Sequence, residues 1–176
     1  MTATDLMRIS DVPGFPPQIG RLVSMLNYVR QTTLQSVAGL SVDALDYLHD
    51  AKSNSIGALL AHIAATEVGY QAVTFDSREL NSAEKIEWGA ALELNDRARI
   101  EIRGHDLDYY VERLGEVRGK TLVELGRRGD QWLDESTSGS TGQGVNNYFK
   151  WFHVLTHEVN HRGQIRWLRT RATKAQ

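Results

Sequence analysis

Residues 151–164 read Trp151-Phe152-His153-Val154-Leu155-Thr156-His157-Glu158-Val159-Asn160-His161-Arg162-Gly163-Gln164, inside a proline-free run from about Val145 to Arg171 that has the length and spacing of one long helix. On a helix, residues four apart share a face one turn apart, so His157 and His161 present two imidazoles side by side. A pair so placed can reach a single metal ion; an exposed pair without any ion is the ordinary alternative. His153 continues the row, but about 12 Å separates it from His161 along the axis at ~1.5 Å per residue, so the three cannot easily share one ion. A third ligand has to come from another helix.

Outward from this stretch the chain reads as helix almost throughout. The only prolines are Pro13, Pro16 and Pro17, and their confinement to the start favours long uninterrupted helices afterwards. Residues 1–15 read as an extended arm and 16–176 as one bundle domain. A first helix is expected over Pro17–Ala38, with Leu22, Met25, Leu26, Val29, Thr33 and Val37 forming an apolar stripe and Gly39 as its stop. A short turn of helix follows within Ser41–His49, capped by Ser41. A second long helix is expected to Phe75, capped by Ser53, Asn54 or Ser55. Short helices are expected over Ser82–Trp88 and Asn95–Ile102, and a third long helix over Asp106–Arg128. Asp134–Gly144, rich in Ser, Thr and Gly, reads as a loop. The fold expected is therefore all-α, a four-helix bundle with short extra helices between the second and third long helices.

On the second helix, Leu59-Leu60-Ala61-His62-Ile63-Ala64-Ala65 places a histidine amid apolar and small residues. A polar group there needs a partner, either a hydroxyl in the core or a metal. His62 is thus the best candidate for the third ligand. His49 and His105 fall in loops or at helix ends. His157-Glu158-x-x-His161 also matches a metalloprotease pattern, but no Asp, Glu or His follows His161 to complete that type of site.

Composition narrows the alternatives. With 41% hydrophobic and 24% charged residues, the 176-residue chain has the balance of a globular domain able to bury its own core. A formal charge of -2 argues against a nucleic-acid binder. The basic row Arg162, Arg166, Arg169, Arg171 and Lys174 reads as a solvated helix C-terminus. Without cysteine, thiolate ligands and a cysteine nucleophile are excluded. No apolar stretch approaches the ~18 residues of a membrane span, and the first residues do not read as a secretory signal, so the expected location is the cytoplasm.

The order of these motifs resembles the DinB/YfiT-like superfamily of metalloenzymes. Ser53-Asn54-Ser55-Ile56-Gly57-Ala58-Leu59-Leu60-Ala61-His62, with Glu67 five residues on, is followed by a long middle section. A last helix then carries Trp151 and His157-Glu158-x-x-His161-Arg162-Gly163-Gln164-Ile165. The resemblance spans most of residues 16–171 and implies a bundle in which His62, His157 and His161 hold one divalent metal, usually within a homodimer. It also implies thiol-dependent S-transferases or isomerases that use low-molecular-weight thiols such as bacillithiol or mycothiol, and it gives His153 no role.

Three neutral imidazoles leave an ion with open positions, which is the form of a catalytic rather than a structural centre. The expected function is metal-dependent S-transfer to, or hydrolysis of, a small electrophile, with Glu158 and Gln164 as catalytic candidates and Glu67 as a residue that could orient a ligand. The alternative is a non-catalytic, stress-associated metal-binding dimer. Imidazole ligands do not distinguish zinc, nickel and iron. The last helix is apolar on two sides (Val154, Ile165, Leu168; Tyr148, Phe152, Leu155, Val159), so that one side can face the bundle core and the other either the short middle elements or a second subunit, with a homodimer the favoured expectation.

Overall fold

Pro16 and Pro17 fix the backbone for a helix start but supply no side-chain cap, and the structure fills that gap from the far end of the chain. Asp130 reaches back so that its carboxylate accepts from the backbone N–H groups of Gln18 (3.1 Å) and Ile19 (3.0 Å), placing negative charge at the positive end of the helix dipole. The computed structural model describes residues 7–136 and 144–173. Most of the loop expected at Asp134–Gly144, the first part of the expected arm and Lys174 lie outside them.

The elements in order are α1 (Pro17–Val37), α2 (Val42–Asp46), α3 (Ile56–Phe75), α4 (Ser82–Glu93), α5 (Asp96–Glu101), α6 (Leu107–Gly126), a 3-10 turn (Asp130–Asp134) and α7 (Asn147–Ala172). Local chemistry sets their limits. Gly39, at φ +74°, follows α1 where a side chain would be strained. Ser41, Ser55 and Asp106 accept from the backbone N–H groups of Ala44, Ala58 and Tyr109, and Asn81 with Glu84 forms a reciprocal capping box on α4. Helix α4 runs past the expected stop at Trp88 to Glu93, because Ala90 and Ala91 are buried and continue its packed face. The 3-10 turn is a further addition to the expected scheme, and it buries Trp132 and Leu133.

The four long helices form the expected all-α bundle, and the short helices α4 and α5 lie between the second and third of them. Helix α1 packs mainly on α7, and α3 packs on α6 and α7. Among the described residues there is no strand, only an isolated bridge between Ser136 and Asn146, and no helix is long and apolar enough to cross a membrane. Two apolar clusters make the core. One gathers Leu45, Ile56, Leu59, Leu60, Leu114 and Ile165; the other gathers Ile19, Leu22, Leu26, Leu125, Leu133 and Trp151. Ahead of α1, Val12 and Phe15 pack against the second cluster, and Asp11 pairs with Arg21.

A polar layer of one residue from each long helix joins these elements. Glu67 of α3 accepts from Arg118 Nε (2.7 Å) and Thr121 Oγ1 (2.7 Å) through Oε1, and from Arg30 and Arg118 (both 3.1 Å) through Oε2. Glu158 of α7 accepts from Arg30 Nε (2.9 Å) through Oε1 and from Arg30 (3.2 Å) and Arg118 (3.4 Å) through Oε2. Each guanidinium also donates to a helix carbonyl, Arg30 to Leu114 O (2.7 Å) and Arg118 to Leu26 O (2.9 Å). All four side chains are buried. Burial alone would raise the pKa of Glu67, but the charges of Arg118 and Arg30 and the bonds from Arg118 and Thr121 hold it down at about 2.

The basic row of α7 departs from the solvated end expected of it. Arg162 bonds to Thr32 Oγ1, Arg166 Nε donates to Ser36 Oγ (2.9 Å), and Arg169 donates to Ser36 O (2.8 Å) and Ala38 O (3.0 Å). The reason is spacing: residues three and four apart share a face, and that face runs along α1.

Breaking the polar layer from one side strands a buried charge. Arg118→Met or Glu67→Leu should lower unfolding stability by about 3–5 kcal/mol in denaturant titrations. A loss below about 1 kcal/mol, the scale of an exposed pair, would mean that water reaches the layer.

Candidate metal centre

His62 lies midway along α3, and α7 passes beside it carrying His157 and His161. The rotation of α7 about its axis decides whether the imidazoles meet. Glu158, one residue after His157 and so about 100° around the helix, is tied into the polar layer; that anchorage turns the 157/161 face toward α3. His157 Nε2 then lies 3.0 Å from His62 Nε2 and 3.0 Å from His161 Nε2. The three ligand atoms all fall within 4.8 Å of one another.

The outer nitrogens of two rings are held as a metal site requires. His62 Nδ1 donates to the carbonyl of Ala91 on α4 (2.8 Å), and His161 Nδ1 donates to Gln164 Oε1 (3.0 Å). Bonds of this kind fix the ring orientation and leave the lone pair on Nε2. Basic nitrogens facing one another at 3.0 Å cannot all be satisfied by a single shared proton, whereas one cation satisfies them together. Two imidazoles on a tetrahedral ion at about 2.0–2.1 Å hold their nitrogens roughly 3.3 Å apart; the two 3.0 Å separations lie close to that value, and with all three ligand atoms within 4.8 Å of one another the donor set fits one ion once the rings draw in around it.

Burial keeps the rings neutral. It lowers the pKa of His157 to about 3, reinforced by the charges of His161, His62 and His153. His62 and His161 shift down for the same first reason, against the opposing bonds to Ala91 and Gln164. The three are therefore in their ligand form near neutral pH.

A family model for mycothiol-S-transferases matches residues 21–174, which is most of the chain and includes all three histidines. The chain belongs to that family. It is a family of the DinB/YfiT-like metalloenzyme type, and membership suggests thiol-dependent S-transfer. Comparison with curated proteins gave no match.

In this chain the other sequence candidates sit as follows. Both carboxylate oxygens of Glu158 accept from the arginines of the polar layer, on a different side of α7 from the imidazoles, and Glu67 is in the same layer. Gln164 touches His161 directly. His153 is exposed, with its ring 5.9 Å from that of His157 and 5.7 Å from Tyr70. His105 stacks on Tyr109 and His49 lies against Trp167, both outside the group. The support that sequence reasoning missed is the Ala91 carbonyl: it is a backbone atom, so no residue type advertises it.

Two outcomes follow from this geometry. Gln164→Ala frees the His161 ring, and metal affinity read by chelator competition should fall about 10–100-fold. In metal-free protein, histidines whose folded pKa lies below 6.5 take up protons first in the unfolded chain. Stability is therefore full above pH 6.5 and declines as the pH falls toward 3. Thermal midpoints should drop between pH 6.5 and 4.5, with a shallower slope in His157→Ala; equal slopes would mean that His157 titrates normally.

Proposed function

We propose that this chain is a metal-dependent S-transferase that joins a low-molecular-weight thiol of the mycothiol type to a small electrophile, with His62, His157 and His161 as the metal ligands. The convergence of three Nε2 atoms from two helices is the observation that carries this reading, and the family supplies the thiol. A divalent ion on three imidazoles supplies Lewis acidity and lowers the pKa of a thiol or water brought to its open positions.

The chain's own residues do the rest. Ala91 O and Gln164 Oε1 orient two of the rings. Burial keeps all three rings unprotonated, and the Arg30–Glu67–Arg118–Glu158 layer fixes α7 against α3. In the transfer, the thiol loses its proton to solvent and its sulfur forms a C–S bond to the electrophilic carbon, whose leaving group departs with the bonding pair. The exposed rings of Phe149 (55%) and Phe152 (48%) on α7 support a homodimer, to be read by light scattering.

Elemental analysis of untagged protein, run beside an assay of mycothiol conjugation to 1-chloro-2,4-dinitrobenzene, tests the reading. Wild-type protein should hold about one ion per chain, and His157→Ala should lose both the ion and the conjugation. Equal metal in the variant would remove the site. Bound metal without transfer to any electrophile would favour the non-catalytic metal-binding alternative.

A further inference from the structure

A cleft of about 490 Å³ opens between the segment that leads into α3 and the C-terminal half of α7. That volume is in the range of small-molecule sites. Leu59, Leu168, Trp167 and Gly163 line it, together with the amides of Asn54 and Gln164. The cleft adjoins the metal centre, because Gln164 bonds to His161 and Leu59 lies one helical turn before His62. A molecule lodged there sits beside the imidazoles, where the second reactant of a transfer has to be.

Four features of the lining describe that reactant. There is no charged side chain among the lining residues, so an ionic group would lose water there without gaining a counter-charge. Asn54 Oδ1 is shielded from solvent and has no hydrogen-bond partner among the described residues, and an N–H or O–H on the occupant would satisfy it. Trp167 is 45% exposed yet held in place, with the Arg171 guanidinium 3.5 Å from a ring centroid and the His49 ring at 4.8 Å and nearly perpendicular. The face of an indole is electron-rich, whereas an arene activated for nucleophilic attack is electron-poor, so the two stack favourably. Finally, Gly163 keeps the space open: a Cβ built on it meets no atom within 4 Å.

We propose that this cleft holds the electrophile of the transfer, and that it selects an uncharged, planar aromatic carrier with an N–H or O–H donor beside the ring over an anionic one. The proposal rests on the S-transferase reading above. The ring lies against Trp167 and its donor bonds to Asn54 Oδ1. For a chloroarene, the sulfur adds at the carbon that bears chlorine, chloride leaves with the bonding pair, and the thiol proton goes to solvent.

Ligands without a leaving group separate binding from transfer. Metal-loaded protein is titrated calorimetrically with 3,5-dinitrobenzamide, with its N,N-dimethyl analogue, which lacks the donor, and with 3,5-dinitrobenzenesulfonate, an anion that coordinates metals weakly. The primary amide should bind about tenfold more tightly than either of the others. Asn54→Ala should erase its margin over the dimethyl analogue. Gly163→Leu, which fills open space without a clash, should weaken amide binding at least about tenfold while the metal content stays the same. Equal binding of the three ligands, no binding of the amide, or undiminished amide binding by Gly163→Leu overturns the cleft proposal. In each case conjugation of mycothiol to 1-chloro-2,4-dinitrobenzene would leave the S-transferase reading standing. No transfer to any electrophile overturns that reading and the proposal with it.

Discussion

Two guanidinium groups and two carboxylates, one from each long helix, meet in the middle of the bundle and leave no unbalanced charge. Their hydrogen bonds have fixed directions, whereas apolar contacts tolerate sliding and rotation. A bundle of Leu, Ile and Ala can settle in several registers with similar burial, but Arg30, Glu67, Arg118 and Glu158 can satisfy one another in very few. The layer thus converts four amphipathic helices into one arrangement. It also accounts for an acid buried one residue away from a metal-ligand candidate: Glu158 sets the rotation that His157 needs.

The centre inherits its geometry from that arrangement. His62 and the His157/His161 pair belong to different helices, and their nitrogens meet only when α3 and α7 keep both register and rotation. The hydrogen bonds from Arg166 and Arg169 to Ser36 and Ala38 at the end of α1 hold the C-terminal half of α7 in the same sense. Gly57 contributes at the other side of α3, since a Cβ there would come within 2.5 Å of the Tyr110 hydroxyl, so its absence lets α6 close against the start of the helix.

What the sequence discloses and what it conceals follow from range. The long helices are legible because proline is confined to the start and because Ser41, Ser55 and Gly39 mark ends through bonds that span only a few residues. The histidine triad is legible because one pair shares a helix face and His62 stands out against alanine and leucine. The polar layer is not, since its members lie far apart in the chain, Arg30 and Glu158 by 128 positions, and each alone reads as a surface charge. Glu158 beside a histidine invites a catalytic role until its arginine partners are in view. Asp130, which caps α1, and the 3-10 turn it begins are hidden for the same reason. The end of α4 was masked by Gly89 and by alanines that carry no periodic signal.

The anchor of His62 has its own consequence. Its Nδ1 rests on a main-chain oxygen, and every residue that could replace Ala91 brings an identical oxygen. Point substitutions at that position can perturb packing but cannot delete the acceptor. Tuning this ring therefore requires displacing α4 as a body, so the short helix that looks like an accessory to the bundle acts as the mechanical adjustment of the centre.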